Sequence, residues 1–213
     1  MSTGIAGKKA LVKVSGAAVA FTAEACADSG DHQTYEISNA VKRCWDRTAT
    51  ITVKVATIAT VESYTLDRLR GQVTFATVNV GRGAVTVDGS YLPLSTAARA
   101  KAFSWTLSAA NLEDSDFASV QANGGMVTRI QGLLDITGTI SRRWTVDTYF
   151  SDALLAGLPV VIEFYLDATA DPDLVCWALL NKDQVQTAVE GLVEEDIEFT
   201  GTVDADEHAV SLS

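Results

Sequence analysis

The chain has 213 residues, of which 47% are apolar, and its formal net charge is −11. A chain of this length and composition can bury a core without disulfide bonds or bound metal ions. Its three scattered cysteines form neither a disulfide framework nor a zinc motif. The acidic balance argues against tight binding to nucleic acid, which needs a basic stripe, and no apolar run approaches the roughly 18 residues of a membrane helix.

Charge is divided unevenly along the sequence. Fifteen of the sixteen basic residues precede Trp144, together with twelve acidic residues, so residues 1–143 carry a formal charge of +3. Residues 144–213 hold fifteen acidic residues and one base, Lys182, which gives −14. If the fold keeps these two parts separate, the molecule has a positive and a negative side and attracts copies of itself head to tail.

Strand patterns dominate the first half of the chain. Residues 11–14 and 51–55 alternate apolar and polar side chains, and residues 72–78 are rich in strand formers. Residues 84–87 predict a further strand, and the pair Asp88-Gly89 predicts a turn after it.

The second half continues the strand pattern. Residues 102–107 and 136–141 alternate, and Gly138 in the latter predicts a bulge or a close backbone approach. Residues 160–166 are almost all apolar, which indicates a central strand, and residues 174–180 and 197–203 predict two more. Residues 184–192 are ambiguous and favour a bent strand over a helix. Turn signals between these segments are typical of a β-sandwich or barrel.

One helix is predicted at about 147–156. Asp147 is its expected N-cap and Gly157 its expected stop, and Phe150 and Leu154 lie four residues apart on one face. Residues 111–123 are expected to hold a second helical turn or a loop. The fold class predicted is therefore mainly β, a sandwich or partial barrel of mostly antiparallel strands with one flanking helix. We expect a single domain over 1–213, with flexible arms at about 1–7 and 204–213.

The sequence predicts no catalytic, cofactor or metal site. His32 and His208 lie in polar stretches that would not hold a site rigid. Glu194, Asp196 and Glu198 alternate, so an extended segment would point all three to one face. Two such carboxylates could serve a hydrolase, but a solvated strand end is the ordinary alternative. The Gly-containing loop of an EF-hand and the phosphate-binding glycine motifs are absent.

Basic and aromatic residues are candidates for a subunit interface. Core packing is as good an interpretation of two of them, Trp45 and Trp144, and a sugar-stacking platform is a further alternative. Gly81-Arg82-Gly83 predicts a hairpin turn. The candidate interface residues are Trp45, Arg68, Arg70, Arg142, Arg143 and Trp144.

The order of several segments carries a resemblance. The segments are GKKALVKVSG at 7–16, AFT at 20–22, YEIS at 35–38, KRCWD at 42–46, LRGQVTF at 69–75, VTVDGSYLP at 85–93 and VEEDIEFTGT at 193–202. In this order and spacing, the chain resembles the major tail tube proteins of long-tailed, non-contractile bacteriophages. The resemblance covers most of the chain and rests on no single diagnostic motif.

The resemblance implies a structural virion protein without enzymatic activity. Members of that family form β-sandwiches or partial barrels flanked by a helix, which assemble as hexameric rings stacked into a hollow tube around a tape-measure protein. Double-stranded DNA passes through the lumen without specific binding, and mobile arms and a hairpin loop bridge successive rings, for which residues 57–70 are the expected loop here. The protein would be made in the host bacterial cytoplasm, require no membrane or cofactor, and lack an added immunoglobulin-like domain.

Acidic side chains held in place on strands would suit the lumen of the tube or one face of a ring, because a surface of carboxylates lets DNA slide past and does not bind it. The candidates for that role are Glu163, Glu194, Asp196 and Glu198. Three alternatives stay open: another virion protein (a tail terminator, a head–tail joining or a decoration protein), a carbohydrate-binding β-sandwich that uses Trp45 or Trp144, and a carboxylate hydrolase.

Overall fold

The computed structural model describes residues 9–114, 126–127, 129–146, 148–187, 191–203 and 210–212. Alternating apolar residues form strands throughout these ranges, as the sequence predicts. In chain order the strands are β1 (Leu11–Ser15), β2 (Val19–Asp28), β3 (Thr34–Ile37), β4 (Thr52–Val55), β5 (Ile58–Ala59), β6 (Tyr64–Asp67), β7 (Gln72–Phe75), β8 (Val85–Tyr91), β9 (Leu94–Thr96), β10 (Ala100–Glu113), β11 (Arg129–Arg143), β12 (Val160–Tyr165), β13 (Leu174–Gln186), β14 (Glu194–Thr202) and β15 (Val210–Leu212).

The strands form two antiparallel sheets. The first has the order β10-β11-β14-β13-β12-β1-β9, with β15 paired to β13, and the second has the order β5-β4-β8-β2-β3-β7-β6. Only residues 97–99 separate β9 from β10, and Ala97 N donates to Val12 O at 2.9 Å. The two ends of the first sheet therefore approach each other, and we call it the barrel sheet. The mainly β fold class is confirmed.

The helix α1 (Tyr149–Ala156) covers one side of the barrel sheet. Its Phe150 is buried in the same core as Ile140, Ile162 and Phe199. The helix ends at Gly157, whose positive φ of 62° is a conformation that favours glycine. The predicted stop is confirmed, whereas the first helical residue is Tyr149, with Thr148 at the N-cap. The predicted N-cap Asp147 lies outside the described residues.

Each sheet has its own apolar core, and a third cluster of apolar side chains joins the two sheets. Val161, Val175 and Trp177 of the barrel sheet pack against Cys44 and Leu69 of the second sheet. All six residues of β12 are buried, because one face of this strand points into the barrel core and the other into this junction. The prediction of a central strand at 160–166 is thus confirmed.

Two turn predictions are wrong. Asp88 and Gly89 lie inside β8, where a Cβ on Gly89 would crowd Ile51 Cδ1. Gly81-Arg82-Gly83 connects β7 to β8, which are not neighbours in the sheet and form no hairpin. The Arg82 guanidinium instead donates to the carbonyl oxygens of His32 and Thr77.

Other sequence expectations concern the chain ends and longer segments. Residues 111–113 belong to β10, while 115–123 lie outside the described residues. Residues 57–70 contain β5 and β6 instead of one long loop. The expected arm 1–7 and most of the arm 204–213 also lie outside, but residues 210–212 form β15 on β13. Gly138 is confirmed as a close approach, since a Cβ there would lie 2.5 Å from Ser104 O.

Candidate functional site

The longest strands extend beyond the sheet that contains them. β10 and β11 pair from Ala100 opposite Arg142 to Glu113 opposite Arg129. β14 pairs with β11 only from Thr137 onwards, so residues 108–113 and 129–135 project as a two-stranded segment, which we call the ribbon. A two-stranded hairpin alone is only marginally stable in water.

The ribbon exposes large apolar side chains. Leu112 and Ile130 lie opposite each other and are 56% and 54% exposed, and Leu133 and Leu134 are 85% and 61% exposed. Leu112 and Ile130 share one face of the ribbon because they are opposite partners. Leu133 and Leu134 point to opposite faces, because successive side chains of a strand alternate. Exposed apolar surface of this kind marks an interaction site, and unpaired strand edges are templates for another chain. Sequence analysis ended the first strand too early, at 107, and began the second too late, at 136, although proline is absent from the whole of β10 and β11.

A groove lies between α1, the end of β1 and the start of β12. Its volume is about 550 Å³, and its lining includes the charged residues Asp46, Arg47 and Asp152. The polar groups here are partly engaged, since Asp46 accepts from Thr48 N at 2.9 Å and Asp152 from Thr148 Oγ1 at 2.7 Å. The groove floor and walls are mainly apolar and include Leu92, Tyr149, Ala153, Ala156, Leu158, Pro159, Val160 and Trp177.

The three candidate acids of β14 share one outward face. Glu194, Asp196 and Glu198 alternate with the buried Glu195 and Ile197, as the predicted strand pattern requires. Each outward acid has a partner, and two of these partners are bases. Lys101 pairs with Glu194, Ser141 donates to Asp196 at 2.5 Å, and Lys182 pairs with Glu198 at 2.9 Å. The face is thus polar but close to charge balance.

Glu163 has a different environment from the other candidate acids. Its side chain is 0% exposed, and it pairs with Arg43 and accepts from Tyr165 Oη at 2.5 Å. Burial, reinforced by this hydrogen bond, raises the pKa of Tyr165. The prediction that Glu163 lines a lumen or ring face is therefore corrected, because β12 is covered on both faces.

Arg142 also lies inside the protein and not at an interface. Its Nε donates to Glu195 Oε2 at 2.7 Å and its Nη2 to Oε1 at 3.0 Å, and its guanidinium lies 4.6 Å from the Phe150 ring centre. Burial is the main cause of a raised pKa at Glu195, and the neighbouring Asp183 carboxyl adds to it. Arg142 acts in the opposite direction but does not cancel the increase. Sequence analysis overlooked Glu195, which only its alternation with Glu194 and Asp196 could have assigned to the interior.

Two further interface candidates are buried. Trp45 is a core residue of the second sheet, and Arg68 donates to the carbonyl oxygens of Asp46 and Ala49 at 2.8 and 2.9 Å. These two predictions are corrected, because neither side chain is accessible to a neighbour. The remaining candidates are exposed: Arg70, Arg143 and Trp144.

The fold mixes the two charge regions of the sequence. Five ion pairs among the described residues join a base before Trp144 to an acid after it. The fold therefore brings part of the basic region of the sequence into contact with part of the acidic region. The five pairs are Lys9–Asp167, Lys13–Glu163, Arg43–Glu163, Lys101–Glu194 and Arg142–Glu195.

Residues with potential chemistry do not converge. Within the described ranges no group of three or more His, Cys, Asp and Glu residues could hold a metal ion. Burial raises the pKa of Cys26, Cys44 and Cys176 to about 12, so these cysteines stay protonated at neutral pH. His32 contacts Asp28 at 2.6 Å in an exposed turn, and His208 lies outside the described residues. No helix in the described part is long and apolar enough to cross a membrane.

Comparison with known proteins gives limited information. No protein-family model matches the chain, and no curated protein matches it either. Among solved structures, a chain from the tail of an empty GTA particle, determined with helical refinement and C6 symmetry, is similar with 12% sequence identity. That likeness covers 57% of this chain and 87% of the other, and its TM-score of 0.46 supports no conclusion about function.

Proposed function

We propose that this chain is a structural virion protein that assembles with copies of itself as stacked rings, forming the hollow tube of a phage tail. The ribbon carries this proposal, because it presents exposed leucine and isoleucine side chains on free strand edges. Covering such a surface with a second chain removes the apolar area from water and pairs the edge. A single domain over 1–213 is an expectation from the length and composition of the sequence, and six subunits per ring are an expectation from the resemblance.

The polar face of β14 suits the wall of a DNA conduit. Two of its outward acids pair with lysines, Lys101 of β10 and Lys182 of the adjacent β13, so it would attract the phosphate backbone only weakly. A tape-measure protein and DNA would then be transient occupants of the tube. The role has no catalytic step, and the protein would act in the virion after synthesis in the host cytoplasm.

Another virion role is the second candidate. A tail terminator, head–tail joining or decoration protein would use the same ribbon but stop at one ring or remain a monomer. A carbohydrate-binding role is less well supported, because Trp45 is fully buried and Trp144 alone of that pair is accessible.

The test compares wild type with Leu133→Asp by sedimentation velocity and negative-stain electron microscopy over a range of protein concentrations. We expect rings or tubes for wild type and monomers for the variant, because a carboxylate would enter the apolar contact. Val61→Asp is the matched control, since Val61 is fully exposed in the connection between β5 and β6, and it should assemble normally. Single rings that never stack would favour the terminator role, and monomeric wild type at every salt concentration would refute self-assembly.

A further inference from the structure

The second sheet is inserted into the barrel sheet between two neighbouring strands. β1 and β9 pair antiparallel, with Ser15 opposite Leu94, and beyond this pair Gly16 N donates to Pro93 O at 2.7 Å. The chain therefore leaves the barrel sheet and returns to it at adjacent points. All strands of the second sheet lie between these two points, and we call residues 17–92 the lobe. Ends that lie this close together are typical of an inserted domain.

The lobe has an apolar core of its own. Eleven buried side chains form this core, and all of them belong to residues 17–92. The fifteen buried side chains of the barrel core all come from outside the lobe. In the described ranges, no strand of the lobe pairs with a strand of the barrel sheet. The lobe also exceeds the roughly 50 residues at which domains begin, so its length and its core are those of a separate folding unit.

The junction between the lobe and the barrel sheet is small by comparison. Its apolar part has five buried side chains, two from the lobe and three from the barrel sheet, and its polar part includes Arg43 of the lobe, which pairs with Glu163. Two cavities border the junction. One is the groove beside α1, and the other has a volume of about 300 Å³ and is lined by Gln72 of the lobe and by Pro172 after β12. The lobe is therefore held more firmly by its own core than by the barrel sheet.

We infer that the lobe is an inserted folding unit, which opens and unfolds while the barrel sheet stays folded. Proteins open locally in contiguous cooperative units of this kind, and the unit with the fewest contacts to the rest opens first. The inference goes beyond the proposed function and does not depend on it, because it concerns the single subunit. The ribbon belongs to the barrel sheet, so opening of the lobe leaves the ribbon in place.

Hydrogen–deuterium exchange with mass spectrometry tests the inference on the full-length protein. It is measured in low concentrations of urea, at a protein concentration where sedimentation velocity shows single subunits. Ile37→Ala in the lobe core and Ile140→Ala in the barrel core are the matched variants, since the two isoleucines are 4% and 0% exposed and lose the same atoms. Ile37→Ala should speed exchange in β3, β7 and β8 about tenfold or more and leave β12, β13 and β14 unchanged. Ile140→Ala should do the reverse.

The exchange pattern decides between one cooperative unit and two. Equal acceleration in the lobe and in the barrel sheet by Ile37→Ala would overturn the inference. A lobe that is unfolded throughout in Ile37→Ala, beside a barrel sheet that keeps its protection, would support it. If the whole Ile37→Ala chain is unfolded, the milder Ile37→Val gives the same comparison, and acceleration confined to the lobe is again the expected result.

Discussion

The two halves of β11 contrast within a single strand. From Thr137 to Arg143 the strand has a partner on each side, and Ile140 and Arg142 are almost completely buried. From Arg129 to Asp135 it pairs with β10 alone, and Leu133 and Leu134 point into solvent. Residues 137–143 therefore stabilise the subunit, whereas residues 129–135 offer apolar surface that only another molecule can bury. Similar strand sequences thus serve folding in one place and, we infer, assembly in the other.

The largest loss of stability is expected for a substitution in the buried half of β11, residues 137–143. Arg142→Ala leaves Glu195 buried without its cation, which typically costs about 3–5 kcal/mol. Urea unfolding monitored by tryptophan fluorescence measures the free energy of unfolding. Arg143→Ala is the control at the next, exposed position, where about 0.5 kcal/mol or less is expected. Equal losses in both variants would show that the Arg142–Glu195 pair is not special.

Apolar truncation in both halves separates folding from assembly. Ile140→Ala should lower the free energy of unfolding by about 2–5 kcal/mol, because it leaves a cavity in the barrel core. Leu133→Ala should change it by about 0.5 kcal/mol or less, yet weaken assembly in sedimentation. A large loss of stability for Leu133→Ala in the monomer would mean that the ribbon is part of the subunit core.

Gly138 lies near the start of the buried half and tests how tightly that half of β11 is packed. In Gly138→Ala the new Cβ would meet Phe199 and Ser104 O, and overpacking of this kind costs about 1–3 kcal/mol. Gly81→Ala serves as the control, because its nearest contact is Asn79 Oδ1 at an ordinary 3.6 Å. Thermal unfolding of both variants gives the comparison, and unchanged stability of Gly138→Ala would contradict the packing described.

The smallest effect should be a pH dependence confined to the buried half. Because the pKa of Glu195 is raised, its contribution favours folding fully below the ordinary glutamate pKa of about 4.3 and is lost as pH rises through the raised value. Wild type should therefore gain stability relative to Glu195→Gln as pH falls from about 8 towards about 4. Urea unfolding of both proteins across that range measures the difference, and a pH-independent difference would mean that Glu195 has an ordinary pKa.

Local pattern in the sequence predicted most elements. The strand patterns predicted nine of the fifteen strands in the described ranges, among them the central β12 from its apolar run at 160–166, and Gly157 ended α1 where expected. The strands that were not predicted are β2, β3, β5, β6, β9 and β15. Each of these features depends on neighbours within a few residues, such as the face that a side chain takes or the φ angle that a glycine permits. The alternation of Glu194, Asp196 and Glu198 placed them correctly on one face for the same reason.

Only the tertiary structure decided which strands pair and which charges meet. Arg43 and Glu163 are 120 residues apart in sequence, and their contact depends on the packing of one sheet against the other. Asp88-Gly89 has the sequence of a turn but lies in a strand, because β8 pairs with β2 on one side and with β4 on the other. The sequence itself determined that strands form and how their faces alternate. Long-range pairing determined that β14 lies beside β11 only from Thr137 to Arg143. The remaining part of β11 pairs with β10 alone, and these two strands form the ribbon.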